Sequence, residues 1–151
     1  MSDVDVHALL NDVNLIGIST IALSARRAEG VVDQTGETSV EPQYTLHTGW
    51  RDDERGFRIV LQTEIDAPIG AIRCDVQAEY ELQDLEMSLV PATAMHEFVN
   101  NVAVMAVLPF VRQGIADITL RVFESPLLMP IIQRGQIMFG TQDEAVGAPE
   151  S

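Results

Sequence analysis

The sequence predicts an α+β fold, in which helices from the second half of the chain cover one face of an antiparallel sheet from the first half. Two observations support this prediction. Two segments of alternating apolar and polar residues flank a short turn at 67–70, as in a β-hairpin with one solvated face. Further along, apolar residues from Val104 to Val122 recur at spacings of three and four, which places them on one stripe of a helix.

The chain of 151 residues suits a single domain at 12–139, between a flexible leader at 1–11 and a disordered acidic tail at 140–151. The domain begins with residues 12–27, which are rich in β-branched and aliphatic side chains. This composition favours a long strand, and imperfect alternation predicts a bulge near Gly17.

Three further strands are predicted before the helical half of the chain. Together with the first strand they form a four-stranded sheet. The first of them carries Tyr44, Leu46 and Trp50 on one side. Alternation is clearest in the other two, at 56–66 and 72–82. Their predicted core faces consist of Phe57, Ile59, Leu61, Thr63, Ile65, Ile72, Cys74, Val76, Ala78, Tyr80 and Leu82.

The long helix carries an unbroken apolar run from Val102 to Val111. This run is shorter than the roughly 20 residues that span a bilayer, so membrane insertion is not expected. Phe98 and Met105 add a second apolar stripe beside Val102, so one sheet face cannot cover the whole apolar circumference. Pro109 predicts a kink or a restart of the helix, because it removes one helical hydrogen bond. We therefore expect a partner subunit or a bound polypeptide on the uncovered side.

A connector bracketed by prolines follows the long helix at 126–130. After it, residues 131–139 fit either a short second helix or a strand, and the pattern does not distinguish the two.

The charge balance excludes some classes of partner. The chain has 23 acidic and 9 basic residues and a formal net charge of −14, which disfavours binding to nucleic-acid phosphates. The same charge keeps an apolar protein soluble and attracts basic partners. The single cysteine and the lack of a basic and apolar leader favour a reducing, cytoplasmic location.

Three segments resemble the SecB family of tetrameric protein-export chaperones. They are Cys74-Asp75-Val76-Gln77, the segment Leu108-Pro109-Phe110-Val111-Arg112, and the proline-flanked connector Ser125–Pro130. The order of elements is also similar, from about Val13 to about Phe139. The chain departs from the family at Ala78-Glu79, where a Gly-rich pair is usual. Such divergence is similar to that of the toxin–antitoxin-associated and phage-borne members.

The resemblance implies a homotetramer built as a dimer of dimers, in which apolar grooves bind unfolded polypeptides. It also implies that the acidic sheet face binds the export motor SecA, or that the protein binds a single antitoxin as its client. Candidate groove residues are Tyr44, Leu46, Trp50, Phe57, Ile59, Phe98, Val102 and Met105, although packing in the core is the simpler role for most of them. Candidate subunit-interface residues are Leu108, Val111, Arg112 and Ile115. Candidate partner-docking residues on the acidic face are Asp75, Glu79 and Glu81.

The function expected from these features is that of an ATP-independent holdase chaperone. Two alternatives stay open: a small acidic adaptor or secretion chaperone with a single client, and a carrier of apolar small molecules. His7, His47 and His96 are scattered, and neither a catalytic constellation nor a metal or cofactor motif is present in the sequence. Alternation places Cys74 on the apolar face, so an inert buried thiol is expected.

Overall fold

The computed structural model describes residues 4–29, residues 41–129 and the backbone of residues 145–146. The open choice between helix and strand at 131–139 lies outside these residues. The predicted α+β architecture is confirmed, with a long helix packed on one face of an antiparallel sheet. The strands are β1 (Val13–Arg27), β2 (Gln43–Trp50), β3 (Gly56–Ala67), β4 (Gly70–Leu82) and the two-residue β5 (Ala145–Val146). The helices are α1 (Val6–Asp12), α2 (Ala92–Phe98) and α3 (Val104–Phe123).

The sheet has the strand order β1-β4-β3-β2-β5, with every neighbouring pair antiparallel. The predicted hairpin joins β3 to β4, and its turn requires a glycine at position 70. A Cβ there would lie 2.0 Å from the carbonyl oxygen of Arg26 on β1. The alternation on β3 and β4 is confirmed, because every residue of the predicted core faces is buried.

Strand β1 contains the predicted irregularity near Gly17 and a second one further along. The register against β4 shifts between Leu15 and Gly17 and again between Thr20 and Ala22. The extra residue at each shift is an isoleucine, Ile16 or Ile21. Both side chains are more than half exposed, so the bulges turn two large apolar groups toward solvent.

The long helix runs without interruption from Ala92 to Phe123, through α2, a π-helical segment at Val99–Ala103 and α3. By length and composition alone this helix could cross a membrane. The shorter apolar run from Val102 to Val111 did not predict this. The helix continues through Pro109, and the departure from α geometry lies upstream, at Val99–Ala103. Proline has no amide hydrogen to donate to the carbonyl four residues earlier in the helix. Because Pro109 is exposed, water can bond that carbonyl instead.

The two ends of the chain contain more structure than predicted. The expected leader forms α1, where the Asp5 side chain caps the helix by accepting a bond of 2.9 Å from the Ala8 amide, and where Leu9 is fully buried. A seven-residue helix has too short an apolar pattern to stand out in the sequence, and its stability comes from packing. In the acidic tail, β5 pairs with Tyr44 and Thr45 of β2.

Candidate functional site

An open groove of about 460 Å³ lies between β2, the crossover that follows β4, and the first turns of the long helix. Its volume falls within the range of roughly 300–1,000 Å³ that is usual for ligand sites. The walls are mostly apolar, with polar groups from a few positions. The lining residues are Leu46, Thr48, Trp50, Glu54, Met87, Ser88, Val90, Ala92, Met95, His96 and Val99.

An aromatic cluster supports one end of the groove. Phe57 stacks on Tyr80 with ring centroids 5.1 Å apart, and Phe98 meets both rings edge-on at 5.8 Å and 5.2 Å. Trp50 lies 6.0 Å from Phe57 and is 55% exposed. The buried rings lie behind the end of β2, and Trp50 presents a large, amphipathic surface to the groove.

The crossover wall of the groove is held by backbone hydrogen bonds from two sides. The carboxylate of Asp12, at the end of α1, accepts bonds from the amides of Asp84 and Leu85 at 2.8 Å and 2.9 Å. From the other side, the amide of Met87 donates to the carbonyl of Glu54 at 2.9 Å. These bonds fix the crossover against the sheet and thereby set the width of the groove.

His96 is the group on the helix wall whose hydrogen bonding is incomplete. The side-chain amide nitrogen of Asn100 lies 3.0 Å from the carbonyl oxygen of His96 and 3.2 Å from its Nε2. The Nδ1 atom is buried and has no partner among the described residues. An unpaired buried polar atom costs about 1–3 kcal/mol of folding free energy.

The architecture has a counterpart among solved structures. It matches the Rv1957 SecB-like chaperone of Mycobacterium tuberculosis, solved in complex with a ChAD peptide from the Rv1956 HigA1 antitoxin. The TM-score is 0.67 at 11% identity, and the match covers 84% of this chain and 92% of that one. The fold is SecB-like.

Other comparisons add little to this assignment. A protein of unknown function from Streptococcus agalactiae matches with a TM-score of 0.48 and 13% identity, over 80% of this chain and 98% of that one. No protein-family model matches the chain, and no curated protein matches it in sequence.

The SecB-like fold brings only part of the predicted groove set to the groove. Leu46 and Trp50 line it. Val102 and Met105 are half-buried and pack against the core without lining the groove. The other predicted residues are core residues instead, since each is no more than 4% exposed: Tyr44, Phe57, Ile59 and Phe98. These residues are buried because the sheet and the helix pack against each other, as where Phe98 of α2 meets the ring of Phe57 on β3.

Three of the residues predicted for the subunit interface lie in the core of the single chain. Leu108, Val111 and Ile115 are each at most 3% exposed, so they have little surface left for a second subunit to cover. Arg112 is half-buried, and its Nε donates to the carbonyl of Met129 at 3.4 Å. The arginine thus binds the connector after α3.

The acidic face also differs from the prediction at one position. Asp75 is only 5% exposed, and its carboxylate lies 2.9 Å from the guanidinium of Arg73. Its charge is paired with that of Arg73, and little of its side chain is exposed. Glu79 and Glu81 remain exposed, although Glu79 accepts a bond from Gln77.

Sequence reasoning missed the groove residues of the crossover and of α2. Met87, Val90, Met95 and Val99 contribute most of its apolar wall. The two methionines were the available signal, because flexible thioethers are common on surfaces that accept varied apolar partners. Their proximity to β2 depends on the crossover, which periodicity does not describe.

The described residues offer little for covalent chemistry. Burial, assisted by the neighbouring charge of Asp75, raises the pKa of the Cys74 thiol to about 11, so the thiolate is scarce at neutral pH. The predicted burial of Cys74 is thus confirmed. Within residues 4–29 and 41–129, no three His, Cys, Asp or Glu side chains form a group that could hold a metal ion.

Proposed function

We propose that this protein is an ATP-independent holdase chaperone that binds unfolded polypeptide segments in the groove between β2 and the long helix. The observation that carries the proposal is an open apolar groove, edged by an exposed tryptophan, on a SecB-like fold. The structural neighbour from Mycobacterium tuberculosis was solved with an antitoxin peptide, which favours a polypeptide occupant and, as a specific client, an antitoxin.

The binding energy of such a groove comes from removing apolar area from water. An aromatic client side chain buries about 150–250 Å², worth about 4–6 kcal/mol at about 25 cal/mol per Å² before the entropic cost of binding. One groove therefore binds weakly. Several grooves that engage one long client bind tightly through effective concentration, without new kinds of contact.

Self-association would supply several grooves, and β1 is the surface that favours it. Within the described part of the chain, β1 pairs with β4 alone. Its large apolar side chains Leu15, Ile16, Ile21 and Leu23 are between 39% and 53% exposed. An apolar edge strand favours pairing with a second copy. We propose a homotetramer built as a dimer of dimers through β1, located in the cytoplasm.

The oligomeric state has a direct test. Light scattering after size-exclusion chromatography is expected to give a tetramer for the native chain, and a smaller species when Ile21→Lys places a charge on the proposed contact. An unchanged mass in the variant would mean that the subunits do not associate through β1.

The holdase activity is tested by aggregation of an unfolded protein at stoichiometric ratios. Trp50→Ala is expected to weaken protection at least about tenfold, because a buried aromatic anchor dominates such contacts. Leu120→Ala is the matched control, since Leu120 is 53% exposed but lies outside the groove lining. If the native protein gave no protection but bound a neutral apolar dye tightly, it would be a small-molecule carrier instead.

A further inference from the structure

The outer edge of β2 is paired with a second segment of the same chain. On its inner side, β2 pairs along its whole length with β3. On its outer side it pairs with β5, where Val146 lies opposite Tyr44 and Ala145 lies opposite Thr45. The short strand β5 thus shows that this edge accepts an extended chain through backbone hydrogen bonds.

The position of β5 connects this edge with the groove. Leu46, Thr48 and Trp50 line the groove from alternate positions of β2. Tyr44, which pairs with β5, precedes them on the same face of the strand. Because β5 runs antiparallel to β2, its N-terminal end points toward the groove residues. An extended client segment that pairs with this edge would therefore meet β5 there, with every second side chain on the face that borders the groove.

The pairing between β5 and β2 is of a kind that another chain can displace. The strand β5 is only two residues long, so few hydrogen bonds hold it. In the sequence around it, Asp143, Glu144 and Glu150 are acidic, and no residue after 140 is basic. The whole chain has a net charge of −14, so repulsion between like charges weakens the attachment of this segment. A longer or basic client segment has the advantage on both counts.

We propose that β5 is an internal competitor, which pairs with the edge of β2 in the free protein and is displaced when a client segment pairs there. The inference rests on the proposed function and specifies how a client is bound, through its backbone as an added strand. Backbone pairing tolerates varied sequences, because nearly every residue has the same donor and acceptor. The competitor lowers the affinity for all such clients by the same factor, since it reduces the fraction of protein whose edge is open.

The test changes β5 in the full-length protein and measures the affinity for an unfolded client. The client is reduced, carboxamidomethylated pancreatic trypsin inhibitor, a basic chain that suits the acidic protein. The double variant Ala145→Pro with Val146→Pro removes both backbone donors of β5. Ala148→Pro is the matched control, since it introduces a proline after β5. Ala145→Val is the opposite change, because a β-branched side chain favours a strand.

The double proline variant is expected to lower the Kd for the inhibitor about three- to tenfold, as for the release of one or two backbone hydrogen bonds. Ala145→Val should raise the Kd about twofold, and Ala148→Pro should leave it unchanged. Nuclear magnetic resonance provides a direct measurement of the displacement. When the inhibitor binds the native protein, the amide signals of Ala145 and Val146 should move to their positions in a free peptide of residues 141–151.

Three results would overturn the inference while leaving the proposed function intact. An equal Kd for the double proline variant and the native protein would mean that β5 does not compete with the client. A raised Kd would mean that β5 forms part of the client site. Amide signals of Ala145 and Val146 that stay in place when the client binds would mean that the client pairs elsewhere. Failure of the native protein and of every variant to bind the inhibitor would overturn the proposed function itself.

Discussion

The two halves of the long helix differ in how they use apolar side chains. In the C-terminal half, α3 turns Val104, Val107, Val111 and Ile115 into the core, where each is at most 1% exposed. In the N-terminal half, α2 and the π segment contribute Met95, which is half-buried, to the groove wall. The apolar stripe of α3 is covered by its own sheet, whereas Met95 leaves apolar surface for an occupant. The difference separates residues needed for folding from residues available for binding.

The largest expected effect comes from charging the C-terminal half. Val111→Asp places an unpaired carboxylate in the core, at a cost of more than about 4 kcal/mol, which is comparable to the whole stability of a domain. We expect loss of the cooperative thermal transition and of native circular dichroism. A folded Val111→Asp protein that only dissociates into smaller species would return Val111 to the subunit interface.

The matched change in the N-terminal half is Met95→Asp. Met95 is half-buried on the groove wall, so the new carboxylate can remain hydrated and the fold should persist. Binding of an unfolded client is expected to fall at least about tenfold, because an apolar client segment would have to desolvate the charge. Isothermal titration measures the affinity, and the thermal midpoint should stay within a few degrees of the native value. Loss of the fold would show that the two halves are equally structural.

A smaller effect is expected from releasing the crossover wall. Asp12→Ala leaves the amides of Asp84 and Leu85 without their acceptor and should cost about 2–3 kcal/mol of unfolding free energy. It should also weaken client binding several-fold, because Met87 and Val90 would lose their fixed position. Asp5→Ala is the control: it removes the cap of the same helix, at a cost of about 1 kcal/mol, without touching the crossover. Equal client affinity in the two variants would exclude a role for Asp12 in shaping the groove.

The smallest effect concerns alkaline pH and the core beneath α3. Burial raises the pKa of Cys74 to about 11 and that of Tyr80 to about 12 in the folded protein. Since the folded state favours the neutral forms, their contribution to stability is complete below the unfolded pKa values and is lost as pH rises through the folded ones. Urea denaturation should show that the free energy of unfolding falls as the pH rises above about 9. The fall should be shallower in Cys74→Ala than in the native protein. A decline of equal slope would mean that the thiol does not contribute.

Reactivity provides a second view of the same thiol. A thiol reagent should modify native Cys74 at pH 8 no faster than the protein unfolds, and should react promptly in denaturant. Prompt reaction of the native protein would show that the core opens beneath α3.

Local periodicity was enough to predict most of the fold. The alternation in β3 and β4 and the spacing of Val104, Leu108 and Val111 identified the faces that turn inward. These predictions hold because the period of a strand or a helix is a property of the backbone, independent of what lies opposite. For the same reason, the bulge near Gly17 was evident as a break in alternation.

The groove could not be predicted in the same way. Periodicity shows that an apolar face must be covered, but not what covers it, so core residues such as Phe57 and Phe98 were assigned to the groove. Asp75 is a second example, since alternation places it on the solvated face, yet it is only 5% exposed in the folded chain.

The sequence by itself determined the α+β fold and the inward faces of its strands and helix, because each follows from contacts within one element. Only the tertiary structure decided which apolar surface stays open. The crossover tied to Asp12 and Glu54 brings Met87 opposite Trp50, residues that are far apart in sequence. That proximity depends on distances between elements, which no single element specifies.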